Sequence, residues 1–305
     1  MAPRQRIPHC RFGKPNRTGP GKVSGIYWLA SYPKSGNTWL RVLLTNYQRN
    51  SSEPADINDL DINGLEFDRN SFDEWLGVDS ADLTQKQIDH YRPSVYQRMA
   101  AEVPESLFLK VHDKFDYNAD GQEIFPKNAT AGVIYLIRNP LEIVVSYAHH
   151  QDESFDQIIQ FMNSEEAVLG AAANGQLPQK LGSWSSHVCS WMDQSDMSIQ
   201  FIRYEDLFQQ PEQTFAQLVR FAALDPNDDR IRKAVSFSLF EKLQAQEAAH
   251  GFKEKQPTAA SFFRKGTIAS WRGLLSPMQV AQVISDHEIV MRRFGYLTPA
   301  GEVWP

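Results

Sequence analysis

Between Ile26 and Trp39 the chain reads IYWLASYPKSGNTW: an apolar strand runs straight into a Pro-Lys-Ser-Gly turn and then into a helix start. That succession builds an anion-binding loop, and it ties the fold to a sheet edge. The strand end fixes the loop, Gly36 lets backbone N–H groups close on an anion, and Lys34 supplies a point charge. Thr38 opens a helix whose positive dipole end faces the same spot. The ligand is expected to be an oxyanion.

Three further strand candidates follow, Leu107 to His112, Gly132 to Arg138 and Ser198 to Tyr204, each short, rich in β-branched or aromatic residues and followed by a loop or helix start. Helical spacing marks Thr38 to Gln48, with pieces around Ser71 to Trp75 and Thr84 to Val103. It marks Pro140 to His149, Pro211 to Ala223, Asp228 to Ala248 and Ser276 to Phe294 as well. Strands separated by such helices predict an α/β fold with a central, mostly parallel sheet flanked by helices on both faces. Ligands in such sheets bind beyond the carboxyl ends of the strands. Lys34, His112, Arg138 and Tyr204 all sit at or just after those ends.

At 305 residues, 42% apolar and 22% charged, the chain suits one large domain, residues 25–305. Residues 1–24 carry six Lys and Arg and no acidic residue, without the apolar core of a signal peptide, and are expected to form a basic, disordered tail. Subtracting them leaves 25 basic against 37 acidic residues, a body charge of −12, which speaks against nucleic-acid binding. No apolar run reaches the roughly 20 residues of a membrane span. Two cysteines, Cys10 and Cys189, make neither a disulfide framework nor a metal site, so a cytoplasmic setting is expected.

Further motifs narrow the chemistry. In YLIRNPLEIVVSYAHH, Arg138 ends a strand, Pro140 begins a helix and Ser146 lies about two turns into it, a setting in which Arg binds phosphate bidentately. In FFRKGTIASW, Arg264 and Lys265 precede Gly266 in a stretch flanked by Lys253, Glu254 and Lys255, where charge is usually only solvated surface. In LKVHDKF, Lys110 and His112 project to the same face of a strand. His149, His150 and His187 fall on helices and match no catalytic position.

The loop is not the nucleotide-triphosphate GxxxxGK[ST] pattern, because Lys34 precedes Gly36. YPKSGNTW instead resembles the 5′-phosphosulfate loop of sulfotransferases that use 3′-phosphoadenosine 5′-phosphosulfate (PAPS), with Asn37 in place of a Thr. RNPxxxxxS, KxH, RYEDL and RKGxxxxW resemble the other motifs of that family, in family order from Tyr32 to Trp271. The resemblance implies a P-loop-NTPase-like fold and transfer of a sulfuryl group from PAPS to a small-molecule hydroxyl, leaving adenosine 3′,5′-bisphosphate (PAP). It implies His112 as general base, with Lys34 and Lys110 stabilising charge. It further implies donor contacts from Lys34, Ser35, Gly36, Asn37, Thr38, Arg138, Ser146, Arg264, Lys265 and Gly266. Trp39 and Phe240 would sandwich the adenine, with Tyr204 and Ser238 hydrogen-bonding near it, a second register putting Ser236 and Phe237 in place of Ser238 and Phe240. No metal is required.

Two positions depart from the family's RKGxxGDW: Ala269 stands for Gly and Ser270 for Asp, the first bearing on the lid's conformation because Ala does not tolerate the positive φ angles open to Gly. Residues 51–106 and 150–195 are expected to supply most of the acceptor pocket, where Phe72, Trp75, Tyr91, Phe115, Phe155, Phe161 and Trp184 could surround a phenol, a sterol-like alcohol or a lipid; a glycan acceptor more usually comes with a luminal protein and a membrane anchor, so a small hydrophobic alcohol or phenol is expected. The family's C-terminal dimer segment would fall near Arg272 to Ala281, without its Val and Glu, so a monomer or weak homodimer is expected. The rival readings are a nucleotide-phosphate kinase, which needs a Walker-type Lys and a Mg²⁺-holding Asp, and a PAPS- or PAP-binding protein without turnover.

Overall fold

Four parallel strands in the order β2-β1-β3-β6 carry the site: β1 (Ile26–Ala30), β2 (Leu107–Val111), β3 (Thr130–Ile137) and β6 (Ile199–Arg203). This is a computed structural model, which describes residues 25–62, 69–170, 177–257, 259–264 and 266–304. The tail of residues 1–24 and Lys265 lie outside the described residues. Alternate residues of β1 enter two different cores: Ile26, Trp28 and Ala30 on one face, Tyr27 and Leu29 on the other. Both faces are covered, so the strand is a continuous apolar run rather than an alternating one.

The chain leaves β1 for β2 on one side, then returns past β1 to β3 on the other, so the loops after β1 and β3 diverge at the carboxyl edge. Into the resulting crevice point α1 (Asn37–Arg49) after β1 and α4 (Pro140–Gln151) after β3. Helix α4 starts where the sequence directs it, with Pro140 in its first turn and the Asn139 side chain accepting from the backbone N–H of Leu141. Around this centre lie α2 (Arg69–Leu76), α3 (Gln85–Glu102) and α5 (Phe155–Met162), a two-residue hairpin of β4 (Val168–Leu169) and β5 (Gln179–Lys180), and α6 (Trp184–Met192). The C-terminal part adds α7 (Tyr204–Gln209), α8 (Pro211–Phe221), α9 (Asp228–Phe237), α10 (Phe240–His250) and α11 (Pro277–Arg293).

Two expectations are corrected. The single helix expected over Asp228 to Ala248 is two, α9 and α10, broken at Ser238 and Leu239. The Trp39 indole N–H takes the Ser238 carbonyl at 2.9 Å, removing an acceptor that a continuous helix would need. Tyr204 opens α7 instead of ending β6. None of the described helices is long and apolar enough to cross a membrane.

Candidate active site

The β1–α1 loop turns on two residues in the left-handed region, Lys34 at φ 66° and Gly36 at φ 100°. Any side chain at position 36 would also collide with Tyr204, whose ring would lie 2.6 Å from its Cβ. Glycine is therefore required twice over, for the turn and for the close approach of the Tyr204 ring. Positive φ at Lys34 is a strained choice of the kind found where a ligand is gripped.

Lys34 and Arg138 meet at this loop. The Arg138 guanidinium donates to the Lys34 carbonyl at 3.0 Å and to Glu142 at 3.2 Å, and lies 4.3 Å over the Tyr204 ring. Its Nε and the buried Ser35 hydroxyl have no partner among the described residues. The Lys34 ammonium sits 4.2 Å over the Phe262 ring. Burial, followed by Arg138 and Lys110, lowers its pKa to about 7. Cations, unsatisfied donors and a helix N-terminus converging on one loop form a cradle for a polyanion.

Across the sheet edge stand Lys110 and His112. His112 Nδ1 lies 2.7 Å from the Ser31 carbonyl, so Nδ1 carries the proton and donates it there, leaving Nε2 as the basic nitrogen. Burial first, and Lys110 second, hold its pKa well below the ordinary value, so the imidazole is neutral. The His112 backbone carbonyl accepts in turn from His187 Nε2 at 2.9 Å, and the Tyr135 hydroxyl lies 2.7 Å from His187 Nδ1. A neutral base with a defined tautomer, beside an ammonium, suits proton removal from an incoming hydroxyl.

Lys34, Gly36, Asn37, Thr38, Trp39, Lys110, His112, Arg138, Ser146, Tyr204, Ser238, Phe240, Arg264 and Gly266 all line one cavity of about 1240 Å³. Ser35 lies buried behind it. Asn37 spends its amide N–H₂ on the Leu29 carbonyl at 2.8 Å and on the Ser31 hydroxyl at 3.1 Å. The Ser238 hydroxyl donates to the Ala234 carbonyl at 2.7 Å and accepts from Asn46 at 3.1 Å. Trp39 and Tyr204 meet edge to face at 5.6 Å. Phe240 packs so tightly under Gly266 that a Cβ there would lie 2.3 Å from its ring. Burial lowers the Arg264 pKa, as does nearby Arg138.

Several site residues escaped the sequence reading. Glu142, one helical turn from Arg138, accepts from the Ser270 hydroxyl at 2.8 Å and from the Trp271 N–H at 3.1 Å, pinning the late loop onto α4. That loop does place Ala269 at φ 61°, against expectation: the left-handed region costs Ala energy without being closed to it. Glu254, which the sequence presents as one more charge in a surface run, reaches Lys110 and Arg41. None of the seven aromatics expected around the acceptor lines the cavity. Phe72, Phe115 and Trp184 are buried in the core and Tyr91 is exposed, because helix packing turned the large apolar faces inward. Tyr147, His150, Leu169 and Phe262 stand in their place. Among the described residues no group of His, Cys, Asp and Glu is arranged to hold a metal ion.

The sulfotransferase domain family model matches residues 26–295. Human Sulfotransferase 1C2 is 23% identical over 273 residues, covering 87% of this chain and 81% of that protein. Cytosolic sulfotransferase 17 of Arabidopsis thaliana is 23% identical over 290 residues, covering 89% and 76%. Among solved structures, mouse sulfotransferase SULT7A1 complexed with PAP superposes with a TM-score of 0.57 at 19% identity, covering 92% of this chain and 87% of that one. Retinol dehydratase in complex with androsterone and PAP gives 0.58 at 17% identity, covering 92% and 84%.

Proposed function

The chain belongs to the sulfotransferase family, and from that premise we propose that it transfers a sulfuryl group from PAPS to the hydroxyl of a small, hydrophobic alcohol or phenol, releasing PAP. One observation supports the reading most: the Lys34 loop, the Arg138 helix start and the Lys110–His112 pair line a single cavity, so cationic side chains and an imidazole face one volume. The Ser35 hydroxyl and Arg138 Nε, without a partner among the described residues, fit a ligand rich in oxyanions.

PAPS supplies an activated sulfuryl group on a phosphate leaving group. His112 Nε2 takes the acceptor's proton as the acceptor oxygen bonds to sulfur, a general-base role typically worth about 10² to 10⁴ in rate. The sulfur–oxygen bond to the 5′-phosphate breaks with its electron pair on the phosphate, and Lys34 meets that charge. Lys110, Thr38 and the N–H groups opening α1 stabilise the non-bridging oxygens. Arg138, Ser146, Arg264 and Gly266 hold the 3′-phosphate, with Lys265 as a further donor. Trp39, Phe240 and Tyr204 hold the base.

Part of the cavity lining supports the acceptor class. His150, with its pKa lowered to about 3, is neutral, and Tyr147, raised to about 12, keeps its proton. Burial dominates both shifts, and with Leu169 and Phe262 these rings add uncharged, aromatic-rich surface to a cavity otherwise rich in charge, which suits a neutral apolar acceptor. Labelled PAPS offered with phenols, sterol-like alcohols and oligosaccharides tests this: label should pass to the first two, and transfer to oligosaccharides alone would overturn it.

A further inference from the structure

Glu254 is out of place in a cavity designed for anions. Its two carboxylate oxygens are divided between two cations, Oε1 at 2.7 Å from Arg41 Nη1 and Oε2 at 3.4 Å from Lys110 Nζ. Arg41, on α1, is buried and is itself fixed by donating Nε to the Ile62 carbonyl at 2.6 Å. Glu254 reaches them from a well-anchored segment. Phe252 and Phe263 pack against Val42, Ile57, Leu60 and Leu243, and Glu247 accepts the backbone N–H groups of Phe262 and Phe263.

Buried ion pairs are a poor source of stability, since removing the charges from water offsets most of their attraction. A purely structural role would be served as well by apolar residues. Lysine, however, carries a compact charge on a flexible four-carbon stem, and holding that charge in one place needs a fixed counter-charge. Preorganised charge is what stabilises a transition state, while an added anion in the same cavity repels an anionic donor.

We propose that Glu254 is a positioning residue for Lys110: its carboxylate ties the ammonium on β2 to the Arg41 guanidinium on α1, aims it at the transferring sulfuryl group, and does so at the expense of donor affinity. The proposal rests on the PAPS reading above. It predicts a signature that loss of structure does not produce, tighter donor binding together with slower turnover.

The test compares wild type, Glu254→Gln and Glu254→Asp by calorimetric titration with PAP and steady-state turnover of PAPS. Glu254→Gln removes one negative charge close to the bound phosphates, and should bind PAP roughly tenfold more tightly while kcat falls about tenfold or more. Glu254→Asp keeps the charge on a shorter reach, so PAP affinity should match wild type while kcat falls. Unchanged or weaker PAP binding by a folded Glu254→Gln protein overturns the proposal. If that variant does not fold, Glu254→Asp decides: kcat falling at constant PAP affinity supports the tether, and both falling together overturns it. A wild-type protein that neither binds PAP nor uses PAPS removes the donor reading instead. The tether then rests on thermal melting, where Glu254→Gln and Lys110→Met should each lower the melting point and the double variant should fall no further than the lower single. Additive losses would overturn it.

Discussion

Lys34 should take up a proton when the donor site fills. Burial, with Arg138 and Lys110 nearby, lowers its pKa from 10.5 to about 7, against smaller opposing effects of Glu254 and Glu247. A depression of that size corresponds to about 5 kcal/mol against the charged form, and to roughly 2 to 5 once the partial exposure of the residue is allowed for. Below pH 7 folded and unfolded chains both hold the proton, and the full penalty is present. Between about 7 and 10.5 the unfolded chain binds a proton that the folded chain does not, so stability rises with pH by up to about 1.4 kcal/mol per unit. Lys34→Met should therefore be more stable than wild type at pH 6 by roughly 2 to 5 kcal/mol, an advantage that shrinks toward pH 9.

Binding of a phosphate anion favours the charged ammonium and draws the pKa back up. At pH 8 the free protein holds only about a tenth of a proton on Lys34, so PAP binding should draw in close to one proton, and affinity should weaken by up to about tenfold per pH unit between 7 and 9. Calorimetry at pH 8 in buffers of different ionisation enthalpy measures the uptake directly. No uptake, or the same uptake in Lys34→Met, would show that the anion does not sit on this lysine.

Three further outcomes are expected. His112→Ala should lower kcat by about 10² to 10⁴ and leave PAP affinity within about twofold, since its ring bonds to the protein through Nδ1 and acts through Nε2; full turnover would remove it from the mechanism. Gly266→Ala brings a Cβ to 2.3 Å from the Phe240 ring at φ 54°, and should weaken PAP binding by about 1 to 3 kcal/mol as the ring is pushed aside, with unchanged calorimetry refuting that contact. Ala269→Gly relieves a left-handed alanine, worth about 1 to 2 kcal/mol, against about 0.4 to 1 kcal/mol of added freedom in the unfolded chain. The net gain of up to about 1.6 kcal/mol should appear in denaturant unfolding, and a loss of stability would refute it.

What the sequence revealed and what it hid divide along a physical line. The turn after β1 and the starts of α3, α4 and α11 were legible because each is set by residues within a few positions, as with Thr84 at the start of α3. Contacts across the chain were not. The break between α9 and α10 depends on Trp39, about 200 residues earlier, taking the Ser238 carbonyl. The expected acceptor aromatics failed for the same reason: composition names rings, and only packing decides which face a cavity. Glu254 is the sharpest case, since a Lys-Glu-Lys run has the same local pattern whether it meets water or Lys110. Its meaning comes from Arg41 and Lys110, which lie 213 and 144 positions away. Short motifs therefore record where charge is needed to grip a substrate, whereas the counter-charges that aim those groups arrive from distant segments. A site of this kind is read most incompletely in the residues that tune it.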